Sequence, residues 1–383
     1  MKRKIAAVTT SRADFTALYW PLHDLASHPD VDLKLIALGP HLSPEFGSTI
    51  REIEQAGFRV DARIECLLSS DTDVGMAKTI GLATLSLADC LGEMRPDLLL
   101  VTADRYEMLA PASVALALRI PVAHIEGGEI SEGAIDDEVR NALTKLSHVH
   151  FTSTELARAR VIAMGEEEWR VHRTGAPSLD HLRRGPLASR EELEQRLAID
   201  LSRPAAVVTY HPVTIARDTT READALFEAL QAVPEQLLFC YPNADAGSRA
   251  LIGRIESFLR DRCGKVFVNL DPVVYWSLLQ QVEFLLGNSS SGIIEAASFA
   301  VPAVNVGIRQ QGRERGRNVL NASPDARSIL DRIQVARSAE FRESLQGMAN
   351  LYGDGCASQR IVSVLTSLPL GEELLIKRAR AIG

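Results

Sequence analysis

The sequence predicts an α/β protein of two domains built on parallel sheets, on three observations. The chain has 383 residues, more than one ordinary domain holds. Short apolar runs recur, each ending in a small or polar turn and followed by a segment of helical period, the pattern of repeated βα units. The alternation breaks over residues 174–204, which contain Pro177, Gly185-Pro186 and Pro204, and then starts again. The expected division is a first domain over 1–178, a linker region over 179–204, a second domain over 205–357 and a terminal helical segment over 358–383. Two such domains are expected to face each other across a cleft.

The elements follow in order. Residues 5–8 form an apolar run ended by Thr9-Thr10-Ser11-Arg12, and a periodic segment continues to Leu25. A second run over 32–38 stops at Gly39-Pro40. Residues 97–101, 120–125 and 148–151 read as further strands, the first uninterrupted in its apolar character, as a parallel strand covered on both faces must be. Helical patterns occupy 79–94 and 136–146 between them. In the linker region a charged stretch over 190–196 suits one short helix. Beyond it, strands are expected over 205–210, 236–241, 265–270, 283–287 and 301–306, and one or two helices over 358–382.

Composition excludes several classes of function. Hydrophobic residues at 46% and charged residues at 24% suit a globular core rather than a disordered chain. The net charge of -8 argues against nucleic acid or an anionic membrane as main partner, since both require a basic face. Five widely spaced cysteines without a C-x-x-C pair read as free thiols in a reducing compartment. The apolar stretch at 5–8 is too short for a secretion signal or a membrane span, so a cytoplasmic protein is expected.

Open parallel sheets bind ligands at the carboxyl ends of their strands, where loop amides and helix N-termini converge. Four clusters lie at such ends. Gly287-Asn288-Ser289-Ser290-Ser291-Gly292-Ile293-Ile294-Glu295 follows an apolar strand and opens an apolar helix. Its small residues let amides approach a phosphate, and Glu295 suits the two hydroxyls of a ribose. The same run also reads as a plain helix cap. Gly307 to Asn318 carries Arg309, Arg313, Arg315 and Arg317 and suits a diphosphate, or else a solvated loop. Asp104-Arg105-Tyr106-Glu107, with His124-Ile125-Glu126 and Asp136-Asp137, supplies acidic groups for proton removal and return. Against this, Asp136 and Asp137 suit a helix start, and His124 suits a core. Last, Tyr210-His211-Pro212 places a histidine where it can act on a leaving phosphate, and Arg12 sits in the first strand–helix turn. No spacing of His and Cys supports a metal site, and no Gly-rich turn near the N-terminus supports a nicotinamide dinucleotide.

Taken together, the clusters are similar to those of the UDP-N-acetylglucosamine 2-epimerase family, more closely its hydrolysing branch. The resemblance spans about residues 9–320. It rests on Thr10-Ser11-Arg12-Ala13-Asp14, Gly39-Pro40-His41, Asp104-Arg105-Tyr106-Glu107, His124-Ile125-Glu126-Gly127-Gly128-Glu129, Ile135-Asp136-Asp137, His211-Pro212-Val213-Thr214, Asn243-Ala244-Asp245, Gly287 to Glu295 and Arg309-Gln310. It implies a glycosyltransferase-B-like fold of two Rossmann-like domains, with UDP held mainly by the second and the terminal helix returning to the first. Asp104, Glu126, Asp136 and His211 then match catalytic positions. Arg12, Ser289, Ser290, Glu295 and Arg309 match nucleotide-contacting positions, and Arg105, Gly292 and Arg313 join them as substrate-binding candidates.

The implied reaction needs no cofactor. A base removes the C2 proton of UDP-N-acetylglucosamine as UDP leaves C1, and water adds to the resulting glycal to release N-acetylmannosamine. Related members take UDP-N,N'-diacetylbacillosamine instead. Both reactions serve synthesis of nonulosonic acids, sialic acid by the first route and legionaminic acid by the second. The resemblance also implies a homodimer or homotetramer. Two other classes use the same fold, a UDP-sugar glycosyltransferase and a non-catalytic UDP-sugar sensor. Two departures stand out. Ala103 occupies a position that is often glycine, and an extra residue between Glu129 and Asp136 leaves Asp136 and Asp137 as alternatives.

Overall fold

The computed structural model describes residues 2–68, 70, 72–242, 245–260, 262–268 and 270–378. Asn243 and Ala244 of the quoted motifs, Asn269 of the expected strand over 265–270, and the end of the expected terminal helix from residue 379 lie outside them. The chain divides into two units. The first comprises 1–129, 136–183 and 352–383; the second comprises 130–135 and 184–351. The region expected as a linker divides between them, joining the first unit up to Arg183 and the second from Arg184. A six-residue strap, 130–135, leaves the first unit to join the second, which composition gives no sign of.

In the first unit seven parallel strands are β1 (Arg3–Thr9), β2 (Val31–Leu38), β3 (Ala62–Ile64), β4 (Leu98–Thr102), β5 (Val122–Ile125), β6 (Val149–Thr152) and β7 (Val171–Arg173). Their order is β3-β2-β1-β4-β5-β6-β7, so the direction of winding reverses between β1 and β4. The strands are apolar on both faces because both are covered. Ile5 and Ala7 of β1 enter one core with Leu98 and Leu100 of β4, while Ala6 and Val8 enter the other with Leu99 and Val101. The helix Arg12–Ser27 starts from a capping box in which Ser11 and Asp14 exchange hydrogen bonds. Against it packs the late helix Ala357–Ser367, whose Ile361 and Leu365 share the core of Leu18 and Leu22.

The second unit holds β8 (Ala205–Thr209), β9 (Gln236–Cys240), β10 (Gly264–Phe267), β11 (Phe284–Gly287), β12 (Ala303–Val306) and β13 (Val319–Ala322) in the order β10-β9-β8-β11-β12-β13, again all parallel. Here the reversal falls between β8 and β11. Alternate residues of β8 again enter two cores.

Three differences from the expected elements have plain causes. The strands β3, β7 and β13 are edge or near-edge pieces of three or four residues, too short to form an apolar run. The helix expected over 79–94 begins at Asp73, because the Thr72 side chain accepts the Gly75 N–H at 3.0 Å and caps it there. The apolar helix expected after Ser291 is a single turn, Ser291–Ile294.

Candidate active site

In the first unit the expected residues gather at the carboxyl ends of β1, β4 and β5. Thr10 and Ser11 follow β1, and both donate backbone N–H bonds to Asp14, at 3.1 and 3.2 Å. Burial raises the Asp14 carboxyl to about 7, against the pull of the Thr10 hydroxyl and the Arg105 charge. Arg12, the first residue of the helix behind this turn, is partly exposed. Thr9 and Thr49 hold His41 by both ring nitrogens, at 2.8 and 2.7 Å, and burial lowers that imidazole to about 3. It is neutral at pH 7.

At the ends of β4 and β5 the backbone is bent in an unusual way. Ala103 has φ +56° and Glu126 has φ +66°, both left-handed, a conformation that residues with a Cβ adopt at a cost. Two bonds hold them there. The buried ring of His124 donates from Nε2 to the Ala103 carbonyl at 2.8 Å, and the Glu126 N–H donates to Phe151 O at 2.8 Å. Burial lowers His124 to about 3, and the bond from its ring fixes the residue before Asp104. Arg105 is almost fully buried and turned to Glu107 at 3.1 Å.

Arg140 links the acidic groups. Its guanidinium is 1% exposed and bonds the Asp104 carboxylate, Asp137 Oδ1 at 3.3 Å and Glu129 O at 2.9 Å. Asp137 also accepts from Asn141 at 3.3 Å. Asp136 opens the helix Asp136–Leu146 one residue after the strap. Position at a strand end does not single out Arg140. Its signal was the spacing, four residues from Asp136 and three from Asp137 on one helix.

In the second unit the site residues lie at the ends of β8, β11 and β12. His211 follows β8 and is mostly buried. Its backbone is held by Asn288, which accepts the His211 N–H at 2.7 Å and donates to the His211 carbonyl at 2.9 Å. Gly287 makes this approach feasible. At φ +140° a Cβ there would lie 1.9 Å from Thr209 O. The Asn288 carbonyl in turn accepts from Arg309 at 3.3 Å and Gln310 at 3.1 Å.

Ser289 and Ser290 precede the single helical turn and are partly exposed, as is Glu295 after it. Gly292 is glycine for packing, since a Cβ would stand 3.1 Å from Leu285 and 3.2 Å from Ala303. The arginine-rich segment is not a plain solvated loop. Arg309 and Arg313 are mostly buried, and Arg313 donates to Ile130 O of the strap at 3.2 Å, whereas Arg317 is exposed. The strap itself is pressed against this segment. A Cβ on Gly133 would lie 2.4 Å from Ile308 O. Among the described residues no three His, Cys, Asp or Glu side chains group as metal ligands.

Residues 23–366, which include every one of these positions beyond the first helix, match the sequence signature of the UDP-N-acetylglucosamine 2-epimerases. The chain belongs to this family. It is an enzyme family, and its fold is found here as well. The UDP-GlcNAc 2-epimerase of Neisseria meningitidis bound to UDP-GlcNAc superposes with a TM-score of 0.78 at 20% identity, over 94% of this chain and 99% of that one. Two relatives are nearer in sequence. The UDP-N,N'-diacetylbacillosamine 2-epimerase (hydrolyzing) of Legionella pneumophila is 35% identical over 378 residues, 98% of this chain and 99% of its own. The GDP/UDP-N,N'-diacetylbacillosamine 2-epimerase (hydrolyzing) of Campylobacter jejuni is 34% identical over 347 residues, 90% of each. Within the 2-epimerase family signature fall Asp104, Glu126, Asp136, His211 and the serine and arginine loops; Arg12 and Asp14 precede it.

Proposed function

We propose that this chain is a hydrolysing 2-epimerase of a UDP-2-acetamido sugar, with UDP-N,N'-diacetylbacillosamine as its substrate. The observation that carries the choice of sugar is the end-to-end similarity to the Legionella pneumophila enzyme, which acts on that compound. UDP-N-acetylglucosamine, the sugar for which the family is named, is the second reading.

The reaction divides into two steps. In the first, a base takes the C2 proton as the C1–O bond to UDP breaks, leaving a double bond between C1 and C2. In the second, water supplies hydroxide to C1 and an acid returns a proton to the opposite face of C2. The products are UDP and a free sugar inverted at C2. In the first unit, Asp104, Glu126 and Asp136 are the groups for proton removal and return. Asp136 is taken for this role because the family pattern matches it there, with Asp137 as its alternative. Arg140 holds Asp104 in one geometry, and positioning is a large part of rate for a carbon acid this weak. In the second unit, His211 and Arg309 are assigned to the departing diphosphate, Ser289 and Ser290 to its oxygens, and Glu295 to the ribose. Arg12, Arg105 and Arg313 complete the binding set, with Arg105 acting from its buried pairing to Glu107.

Proton NMR in deuterated water tests the reading, with both UDP sugars offered in parallel. Release of UDP and a free manno-type sugar carrying deuterium at C2 is expected, faster from the diacetamido sugar. A sugar transferred to an acceptor, or ligand bound without turnover, overturns the reaction; preference for UDP-N-acetylglucosamine overturns only the choice of sugar.

A further inference from the structure

The strap 130–135 is seated more tightly than a connection from Glu129 to Asp136 requires. Its backbone is held at three points within the second unit. The Ile130 carbonyl accepts Arg313 Nε at 3.2 Å, the Glu132 N–H donates to Gln311 O at 3.1 Å, and the Ile135 N–H donates to Thr214 Oγ1 at 3.1 Å. Between these points the strap turns on itself. There the Ala134 N–H donates to Ser131 O at 2.9 Å, and both residues are buried.

Two glycines, one on each side of the contact, make the seat close. A Cβ on Gly133 would lie 2.4 Å from Ile308 O and 2.6 Å from Arg309 Cα, so a methyl group there must lift the strap. The backbone of Gly133 lies outside the left-handed region, so spacing alone calls for glycine. Gly312 answers from the other side, where a Cβ would lie 2.3 Å from Ile130 Cγ2. Thr214 is as firmly placed. It stands three residues after His211, on a turn in which the Val213 N–H donates to Thr219 O at 2.8 Å and the Ala216 N–H to Val213 O at 2.9 Å.

Asp136 is next in the chain after Ile135 and is the first residue of its helix. The Thr214 hydroxyl therefore pins the last N–H before that residue. Successive residues of a helix are turned about 100° from one another, so a strap seated one residue out of place would put Asp137 where Asp136 belongs. We propose that Thr214 and Gly133 are positioning residues of the reaction: they seat the strap, and the seated strap fixes where the helix of Asp136 begins. The inference rests on the hydrolysing 2-epimerase reading, in which Asp136 serves in proton removal and return at C2. A connection with no part in the reaction needs neither a side-chain acceptor for its last N–H nor a glycine at an ordinary φ.

Thr214→Val, Thr214→Ser and Gly133→Ala in the full chain test it. On each, kcat, KM, UDP affinity by calorimetry and hydrogen exchange over residues 130–137 are measured. Thr214→Val removes the acceptor at nearly constant size. It is expected to lower kcat about tenfold or more while KM and UDP affinity stay within about twofold, and to speed exchange over 130–137. Thr214→Ser returns the acceptor and should keep kcat within about threefold of wild type, whereas Gly133→Ala should behave like Thr214→Val. Normal kcat in Thr214→Val overturns the proposal, as does a serine variant as slow as the valine one or an unchanged exchange rate. A wild type that turns over neither UDP sugar overturns the 2-epimerase reading instead, and exchange still decides whether Thr214 seats the strap.

Discussion

Asn288 and His211, 77 positions apart, close a ring of two hydrogen bonds: the asparagine side chain takes the histidine N–H at 2.7 Å and gives its own N–H to the histidine carbonyl at 2.9 Å. The ring substitutes for a strand pairing just past the point where β8 and β11 separate. Because the Asn288 carbonyl also receives Arg309 and Gln310, one residue sets the backbone of the histidine and the heads of two loop side chains.

Replacing Asn288 separates these roles. Asn288→Ala removes both side-chain bonds to the His211 backbone, a loss of about 1–3 kcal/mol for each group that stays buried. Asn288→Asp keeps the acceptor for the His211 N–H and loses the donor, so it should retain more of both stability and turnover. Denaturant melts and kcat, measured side by side, check the ranking wild type, Asp, Ala. Equal activity in all three variants would remove Asn288 from the support of His211.

Arg140 invites a second prediction. Its guanidinium is buried and bonded to two carboxylates and a carbonyl. Arg140→Met has a similar length and leaves Asp104 and Asp137 without their cation, so a loss of about 3–5 kcal/mol is expected. Arg140→Lys keeps the charge but cannot span the three partners, and should fold while losing kcat more than KM. A lysine variant with normal kcat would mean that Asp104 needs no such alignment.

Much of this architecture is legible in the sequence, and the exceptions share a cause. Central strands such as β4 and β8 are covered on both faces, so burial writes itself as an unbroken apolar run. At the sheet margin β7, Val171-His172-Arg173, carries no such mark. The start of the helix at Asp73 is set by the Thr72 cap, a contact that the periodic pattern from 79 onward does not reveal. In the site, position at a strand end was enough to single out Asp104, Glu126, His211 and Arg309. It could not single out Arg140 or Asn288 as supports, because Asp104 and His211, the groups they hold, lie 36 and 77 positions away in the chain. Nor could it tell that 130–135 departs to the second unit, since that fact is set by contacts with Ile308 and Arg313.

A third prediction concerns Ala103. Its φ of +56° puts an alanine where glycine carries no steric penalty, and His124 holds it there through the carbonyl. Ala103→Gly should relieve about 1 kcal/mol of left-handed strain. Since the hydrogen bond from His124 is to the backbone, the conformation before Asp104 survives the change. Chemical denaturation should show a gain in stability with turnover preserved. A destabilised variant would mean that the alanine methyl is needed for packing.

The buried histidines set the response to acid. In the folded chain His41 and His124 are lowered to about 3, His148 to about 4, and His150 is lowered as well, in each case chiefly by burial. An unfolded histidine titrates near 6.5. Below that pH the unfolded chain takes up protons that the folded chain refuses, so stability present above about 6.5 is lost steadily as the pH falls. Asp14 acts in the opposite sense. Its folded value of about 7 exceeds the unfolded one, so it favours the folded state as the pH falls from 7 toward 4. Several histidines oppose one aspartate, and the net expectation is a lower Tm at pH 5 than at pH 7.5. Asp14→Asn removes the opposing contribution and should make that fall steeper. Thermal melts across the range test both statements. A Tm that holds level or rises toward pH 5 would show that these histidines accept protons within the folded chain.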